Sequence, residues 1–273
     1  MKATTQKVEI DDTLIASIKD RRAQVLERIA EAARRAGRPP EAVRLVVVSK
    51  AQPLHVVEAA IAAGVRTFGE NYAAEAVQKI QHVGGKSAPR DEGAFGPRNR
   101  QVGDVSLEWH MIGHIQSRKA RLVAPYFDLI HSLDSVKLAG RLNQCALELG
   151  RTIPVLLELN VGGETAKSGW PAADEAAWPM LTKDIEQVSQ LSSLQIEGLM
   201  TMPPLTDDPE EARTYFRRLR KLQGFLTDEF PMLRWAELSM GTSADYAVAV
   251  EEGATLVRVG EAILGRRPAP EVD

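Results

Sequence analysis

Lys50 is the residue of this sequence whose type and position most directly suit chemistry, because it ends a run rich in Val and Leu, 43–50. An apolar run of this length, followed closely by Pro53, is typical of a strand buried on both faces in a parallel sheet. At the carboxyl end of such a strand, burial or a nearby cation lowers the pKa of an amine. The neutral amine can then attack a carbonyl and form a Schiff base. The alternative is a solvated lysine without a chemical role.

Two further segments carry residues that suit an anion. Hydroxyls and backbone N–H groups of the segment 239–243, which precedes a predicted helix, could surround phosphate oxygens. Gly260, at the end of the last predicted strand, permits another close approach of the backbone. For Ser243 the alternative is ordinary capping of the helix that follows it.

Arg258 lies inside an apolar strand, where a buried guanidinium needs an acceptor. The alternative to a ligand-binding role is a salt bridge to Glu158 or Glu237. The five histidines lack the paired spacing of metal ligands, and His110 is typical of an inward-facing polar group with a partner. Because nucleophile-elbow and Walker motifs are also absent, we predict neither a metal site nor a set of catalytic residues.

The elements that must position these residues alternate between strand and helix. A lead-in helix is predicted over 12–36, and the helical segments that follow are 54–63, 72–83, 117–124, 136–149, 172–191, 210–229 and 245–252. The predicted strands are 43–50, 65–69, 109–113, 127–132, 153–160, 194–200, 235–239 and 255–260.

Eight β-then-α units indicate parallel strands with right-handed crossovers and predict an α/β fold, a (β/α)8 TIM barrel with an extra N-terminal helix. A doubly wound open sheet is the alternative, but it normally has fewer units, and its glycine fingerprint is missing after the first strand. In a barrel the carboxyl ends of all strands share one rim, so Lys50, the segment 239–243 and Gly260 are expected to meet there.

Composition excludes several classes of protein. The 273 residues carry a net charge of -3 with a pI near 6.0, which provides no basic field for nucleic acid or an anionic membrane. One cysteine cannot form an internal disulfide, and no segment is long and apolar enough to span a membrane. We therefore expect a cytoplasmic protein with a single domain over 1–273, a flexible tail at 1–11 and an exposed insertion at 84–105.

Several ordered motifs closely resemble the pyridoxal phosphate homeostasis protein family, single-domain relatives of the alanine racemase N-terminal barrel. They are Val47-Val48-Ser49-Lys50, Phe68-Gly69-Glu70-Asn71-Tyr72, Trp109-His110-Met111-Ile112-Gly113-His114-Ile115-Gln116, Asn160 with Glu164 and Lys167-Ser168-Gly169, Gly198-Leu199-Met200, Ser239-Met240-Gly241-Thr242-Ser243-Ala244-Asp245 and Arg258-Val259-Gly260. The resemblance covers nearly the whole chain. Its specificity comes from the consistent order and spacing of the motifs.

The resemblance implies pyridoxal 5'-phosphate (PLP) as the cofactor, held as a Schiff base on Lys50. It also implies that Ser243 and the backbone around Gly241 and Gly260 bind the phosphate, and that Arg258 faces the pyridine nitrogen. The predicted cofactor-binding residues are Lys50, Asn71, His110, Ser239, Gly241, Ser243, Arg258 and Gly260. The sequence departs from the family at Gln52, where lysine is frequent, at Thr242, where methionine is usual, and at Glu261, where threonine is usual. A carboxylate at Glu261 that faced a phosphate would repel it.

The function implied is that of a monomeric carrier that holds PLP, takes part in PLP homeostasis and supplies apo-enzymes, without catalytic turnover. The first alternative is a PLP-dependent amino acid racemase or decarboxylase on the same barrel. Racemisation needs an acid/base on each face of the cofactor, and in the racemase family the second comes from an additional domain and a partner subunit. A more distant alternative is a barrel enzyme acting on a phosphorylated metabolite, with Lys50 as an aldolase-type Schiff base.

Overall fold

Eight parallel strands close into a ring in the computed structural model, which describes residues 11–83, 100–102 and 105–267. The strands in chain order are β1 Arg44–Val48, β2 Thr67–Glu70, β3 Arg100–Val102, β4 Val105–Met111, β5 Leu129–Leu133, β6 Ile153–Asn160, β7 Trp170–Pro171, β8 Leu194–Met200, β9 Glu237–Ser239 and β10 Leu256–Val259. The ring runs β1, β2, β4, β5, β6, β8, β9, β10 and returns to β1, with every pairing parallel. The predicted (β/α)8 barrel is confirmed.

Helices surround the ring and connect its strands. They are α1 Asp12–Arg35, α2 Leu54–Ala62, α3 Ala73–Val83, α4 Ala120–Val123, α5 Val136–Glu148, α6 Thr182–Ser189, α7 Arg213–Glu229, α8 Tyr246–Glu251 and α9 Glu261–Leu264. The predicted helices before β5 and β8 are shorter than expected, because each begins as a 3-10 helix, at Ser117–Lys119 and Glu175–Leu181. Among the described residues, no helix is both long and apolar enough to cross a membrane.

At the edges of the barrel, the predicted tail needs correction at residue 11, whereas the exposed insertion at 84–105 stays a prediction. The predicted tail 1–11 is too long, because the Asp11 side chain accepts from the Thr13 N–H at 2.9 Å and caps α1; residues 1–10 lie outside the described residues. The predicted insertion 84–105 contains a strand at its end: β3 pairs antiparallel with β4. Its other residues before β4, 84–99 and 103–104, lie outside the described part of the chain.

The extra N-terminal helix covers one side of the barrel. The buried side chains of α1 lie on one face, since Ile18, Val25, Ile29 and Ala32 follow helical spacing. This face contacts α2, α8 and α9. The helix therefore packs beside the elements that carry β1 and β10, the two strands that position Lys50 and Arg258.

A small apolar layer fills the interior of the ring below the carboxyl ends of the strands. Its members come from five different strands and are Val46, Leu129, Leu156, Met200 and Leu256. Since strand side chains alternate between faces, Arg258 follows Leu256 on the interior side, and Lys50 continues the side of Val46. The two predicted functional cations thus lie above this layer, toward the carboxyl ends of β1 and β10.

Gly198 lets β8 and β9 approach each other closely. Its φ is +154°, and a Cβ at this position would lie 1.9 Å from the carbonyl oxygen of Glu237 on β9. The pairing of β8 with β6 also shifts by one residue beside Gly198. The ring closes here through a backbone contact that only glycine permits.

We predict that Gly198→Ala lowers the free energy of unfolding by at least about 2 kcal/mol, because it combines a strained φ with a clash against backbone. Gly224→Ala in α7 is the matched control: a Cβ there meets nothing within 4 Å. The control should stabilise the protein by about 0.5–1 kcal/mol, since glycine is unfavourable inside a helix. Urea unfolding of both variants measures this, and equal effects would contradict the packing described for β8 and β9.

Candidate functional site

All of the predicted site residues except His110 lie on, or just after, four neighbouring strands of the ring. Lys50 follows β1 and Asn71 follows β2; Ser239 ends β9 and Arg258 lies in β10. In the ring these strands are adjacent in the order β2, β1, β10, β9, and Arg258 is directly paired with Val46 of β1. The carboxyl ends of these strands therefore place an amine, an amide, a hydroxyl and a guanidinium at one side of the rim.

Lys50 is half-buried, and its surroundings favour the neutral amine. Burial lowers the pKa of Lys50, and the positive charges of Arg267 and Arg258 lower it further, whereas the carboxylate of Glu70 opposes them. A lysine amine reacts as a nucleophile only when it is unprotonated. This environment therefore supports the predicted chemical role rather than the alternative of a solvated lysine.

A second lysine, which the sequence analysis did not single out, holds the chain just before Lys50. Lys79 of α3 is 5% exposed and donates to the Ser49 carbonyl at 2.6 Å, to Glu70 Oε1 at 2.8 Å and to Glu75 Oε1 at 2.5 Å. The Ser49 hydroxyl donates to the same Glu70 oxygen at 2.8 Å. Despite Lys79, burial raises the pKa of Glu70. A buried ion pair of this kind ties the end of β1 to β2 and α3.

The chain just after Lys50 is held by the same network. Ala51 has a φ of +55°, the left-handed region that non-glycine residues seldom adopt, and its N–H donates to Glu75 Oε1 at 2.7 Å. Gln52, one of the departures from the family, is buried and donates to the Gly265 carbonyl at 3.1 Å, which ties this turn to the end of α9. The backbone on both sides of Lys50 is thereby fixed.

Arg258 is 3% exposed, and its guanidinium is satisfied by neutral acceptors. It donates to the Ser239 hydroxyl, to the Thr201 carbonyl at 2.9 Å and to the Met202 sulfur at 2.9 Å. Burial lowers the pKa of Arg258 to about 10, although the carboxylates of Asp245 and Glu158 oppose this. It is therefore still charged at neutral pH.

The predicted salt-bridge alternative for Arg258 is not seen. Among the described residues, Glu237 pairs instead with Arg44 at 2.8 Å, and no ion pair joins Glu158 to Arg258. The side chain of Glu158 has one oxygen, Oε2, that is buried without a hydrogen-bond partner. Arg258 thus keeps a positive charge that no carboxylate in contact with it neutralises.

The loops after β9 and β10 contact each other, but Ser243 does not cap α8. The Ser243 hydroxyl accepts from the Gly260 N–H at 3.4 Å, and Asp245 accepts from the Thr242 N–H at 2.6 Å. Gly241 has a φ of +92°, and a Cβ there would lie 2.6 Å from the side chain of Ala249. The alternative of plain N-capping by Ser243 is therefore wrong, and its exposed hydroxyl stands between the two loops.

Glu261, whose carboxylate would repel an anion bound beside Gly260, is directed to solvent. Its side chain is exposed and lies 3.9 Å from Arg266. A cavity of about 360 Å³ opens at the same rim beside Asn71, whose Oδ1 is buried without a partner. The rim therefore offers space and an unused polar atom without an opposing negative charge from Glu261.

His110 is the one predicted site residue that lies away from the rim. It is buried, with Nδ1 3.0 Å from His131 Nε2, and Nε2 3.5 Å from Glu108 Oε2. His131 Nδ1 in turn lies 2.8 Å from the Ser239 hydroxyl. His110 reaches Arg258 only through these intermediates, because it lies toward the amino ends of the strands, where it borders a cavity that Arg44 and Glu237 also line. Within the described ranges, no three or more His, Cys, Asp or Glu side chains could hold a metal ion.

We predict that Lys79→Met lowers the free energy of unfolding by about 3 kcal/mol at pH 7, because it leaves the carboxylate of Glu70 buried without its cation. The double variant Lys79→Met with Glu70→Gln should recover at least half of that loss, since it removes both charges. Urea unfolding of the single and double variants measures the difference. Equal losses in the two would show that packing, and not the charge of Glu70, sets the cost.

We also predict a pH-dependent stability that comes from Glu158. Burial and the nearby Asp134 raise the pKa of Glu158 from 4.5 to about 7, with Arg258 opposing the rise. The folded state therefore holds this proton at pH values where the unfolded chain has lost it, so that stability decreases as pH rises from 4.5 to 7.

Glu158→Gln removes this loss, and relative to the wild type its free energy of unfolding should increase by up to about 3 kcal/mol over that interval. The exposed Glu229→Gln in α7 is the control and should show no such trend. The measurement is the free energy of unfolding at a series of pH values. A difference between Glu158→Gln and wild type that stays constant with pH would contradict the raised pKa.

Comparison with known proteins identifies the family of this chain. Residues 21–268 match the family model of the alanine racemase N-terminal domain. The pyridoxal phosphate homeostasis proteins of Vibrio alginolyticus and Pseudomonas aeruginosa are 37% and 40% identical over 253 residues, which is 93% of this chain and 99% and 97% of those proteins. The structure of PipY from Synechococcus elongatus with PLP bound is 36% identical, with a TM-score of 0.72 over 91% of this chain and 100% of that chain. The chain therefore belongs to the alanine racemase N-terminal domain family and, within it, to the pyridoxal phosphate homeostasis proteins.

Proposed function

We propose that this protein binds PLP at Lys50 and serves PLP homeostasis by holding the cofactor and supplying it to apo-enzymes. The observation that carries the proposal is the pairing of β1 with β10, which places the Lys50 amine near a buried guanidinium that contacts no carboxylate. The names of the relatives and the PLP bound to PipY support the same cofactor. The proposal includes a monomeric, cytoplasmic protein with a single domain over 1–273.

The residues present suit the aldehyde and the phosphate of PLP. PLP supplies an aldehyde, with which a lysine amine condenses, and an aromatic ring that withdraws electrons when its nitrogen is protonated. The lowered pKa of Lys50 favours the amine that this condensation needs. The exposed hydroxyl of Ser243 and the N–H groups near Gly241 and Gly260 suit the phosphate, and the unused Asn71 Oδ1 offers one more polar contact.

Arg258 determines which chemistry the site favours. A charged guanidinium facing the ring nitrogen disfavours a proton there, which weakens the ring as an electron acceptor. Reactions that break bonds to an amino acid Cα depend on that electron withdrawal, whereas holding the aldehyde on Lys50 does not. The proposed role is therefore reversible storage, with catalytic residues for amino acid turnover expected to be absent.

The direct test is spectroscopic. Protein incubated with PLP should show visible absorbance from the imine, and borohydride should fix one pyridoxyl group on the peptide that contains Lys50. Lys50→Ala should abolish both signals, whereas Lys137→Ala, which changes an exposed lysine on α5, should leave both unchanged. Peptide mass spectrometry after reduction reads the result.

Two outcomes would overturn the proposal. If the Lys137→Ala and Lys50→Ala proteins retain the same label, PLP is attached without selectivity for Lys50. If the wild-type protein racemises or decarboxylates members of an amino acid panel with turnover that Lys50→Ala abolishes, the protein is a PLP enzyme and the storage role is wrong.

A further inference from the structure

We propose that His131 and His110 are positioning residues that act on Arg258 through a buried chain of hydrogen bonds with one fixed direction. The chain runs from Arg258 to the Ser239 hydroxyl, then to His131, His110 and the Glu108 carboxylate. It crosses the interior of the barrel from β10 through β9 and β5 to β4. Its effect on a cofactor rests on the proposed function, whereas its direction is a property of the protein alone.

The direction follows from what each group can donate. A guanidinium has no acceptor, so Arg258 donates to Ser239 Oγ. The Ser239 hydroxyl is then free to donate to His131 Nδ1, 2.8 Å away, which places the proton of the neutral His131 ring on Nε2. His131 is fully buried, and this burial, together with the positive charges of Arg258 and Arg44, lowers its pKa well below the usual value, so its ring is neutral.

The same logic continues to the far end of the chain. His131 Nε2–H donates to His110 Nδ1 at 3.0 Å, so the His110 proton lies on Nε2 and points at Glu108 Oε2, 3.5 Å away. The hydrogen bond to His110 is also a cause that lowers the pKa of Glu108, which keeps this end an anion. Every donor in the chain then has an acceptor.

The reverse direction leaves groups unsatisfied. If His110 donated from Nδ1 to His131, then His131 would donate from Nδ1 to Ser239 Oγ, and the buried Ser239 hydroxyl proton would lose its acceptor in the chain. A neutral His110 would also turn a bare nitrogen toward the Glu108 carboxylate. Only an imidazolium at His110 relieves the second conflict, and it does not relieve the first.

Charged side chains surround both ends of the chain. At the near end the carboxylates of Asp245 and Glu158 act on Arg258, although neither forms an ion pair with it among the described residues. Glu108 and His110 border a cavity of about 370 Å³ at the amino ends of the strands. The other charged side chains that line this cavity come from β1, the start of β5, β8 and the β9 region, and they are Arg44, Asp128, Glu197, Arg234 and Glu237. Arg44 pairs with Glu237 at 2.8 Å and lies 3.9 Å from Glu108. Within the chain itself, the Glu108 carboxylate is connected to Arg258 only through neutral groups.

The direction of the hydrogen bonds determines how firmly Ser239 holds Arg258. A hydroxyl that donates to an imidazole becomes a better acceptor, because hydrogen bonds in a chain polarise one another. Ser239 therefore holds the guanidinium more firmly than an isolated serine would, and it does so without placing a formal negative charge beside it. His131 sets this state although it lies away from the rim.

The first experiment reads the ring protons directly in protein without cofactor. Protein labelled with ¹⁵N-histidine should show, at pH 8, both His131 and His110 with a proton on Nε2 and a bare Nδ1 in long-range ¹H–¹⁵N correlation spectra. Spectra of His131→Gln and Glu108→Gln assign the signals. A proton on Nδ1 of either ring, or an imidazolium at His110, overturns the proposal whether or not the protein binds PLP.

The second experiment asks whether the chain acts on the cofactor. His131→Phe removes the acceptor for Ser239 and should weaken PLP binding about tenfold, as expected for the loss of one charge-assisted hydrogen bond. His131→Gln, which retains one acceptor and one donor, should recover most of the affinity, and the exposed His82→Phe on α3 should leave it unchanged. If folded His131→Phe binds PLP as tightly as wild type, the positioning role is wrong even though PLP binding by Lys50 stands. Should His131→Phe not fold, the affinity of His131→Gln relative to Ser239→Ala decides, because the proposal requires the serine variant to be the weaker.

Discussion

The burial of one positive charge without a carboxylate in contact is the constraint on which the rest of this site depends. A guanidinium at the position of Arg258 would be prohibitively costly in an apolar interior, so the structure must surround it with acceptors. It does so with a hydroxyl from β9, a carbonyl that follows β8 and a thioether beyond it. Because these acceptors are neutral, the positive charge remains effective at the rim, where it adds to burial and Arg267 in lowering the pKa of Lys50 and favours an anionic ligand.

The two buried cations of the barrel have opposite relations to their surroundings. Lys79 is paired with two carboxylates, Glu70 and Glu75, and its charge is fully used to hold the backbone on either side of Lys50. Arg258 forms no ion pair with a carboxylate in the part of the chain that the structure describes, so its charge is available to a ligand. A buried ion pair contributes little net stability but restrains geometry strongly. The network around Lys79 therefore serves mainly to fix the backbone that carries Lys50. A lysine on a fixed backbone beside an open rim suits a ligand that must be held and later released.

Much of the fold could be predicted because it depends on local patterns. Eight apolar strands alternating with helices specify the barrel, and the barrel specifies that Lys50 and Gly260 share a rim. The strand at 100–102 escaped prediction because a three-residue strand in a polar segment has no detectable period.

The contacts of the site were less predictable than its residues. In the sequence, Lys79 is one more polar residue of an amphipathic helix, and its role comes from a contact with Ser49, 30 positions away. Likewise, His131 is one histidine in an apolar strand, and its role comes from a contact with Ser239, 108 positions away. Such pairings are set by closure of the ring, which no local pattern encodes. The same holds for Ser243, whose hydroxyl accepts a hydrogen bond from the neighbouring loop, at the Gly260 N–H, and does not cap the helix that follows it.

The most direct test of this account is a crystal structure of the protein grown with PLP. Electron density should join the cofactor to Lys50 Nζ, with the guanidinium of Arg258 facing the pyridine nitrogen and the phosphate between the loops that carry Ser243 and Gly260. A cofactor bound away from Lys50, or a carboxylate such as Glu158 facing the ring nitrogen in place of Arg258, would contradict it.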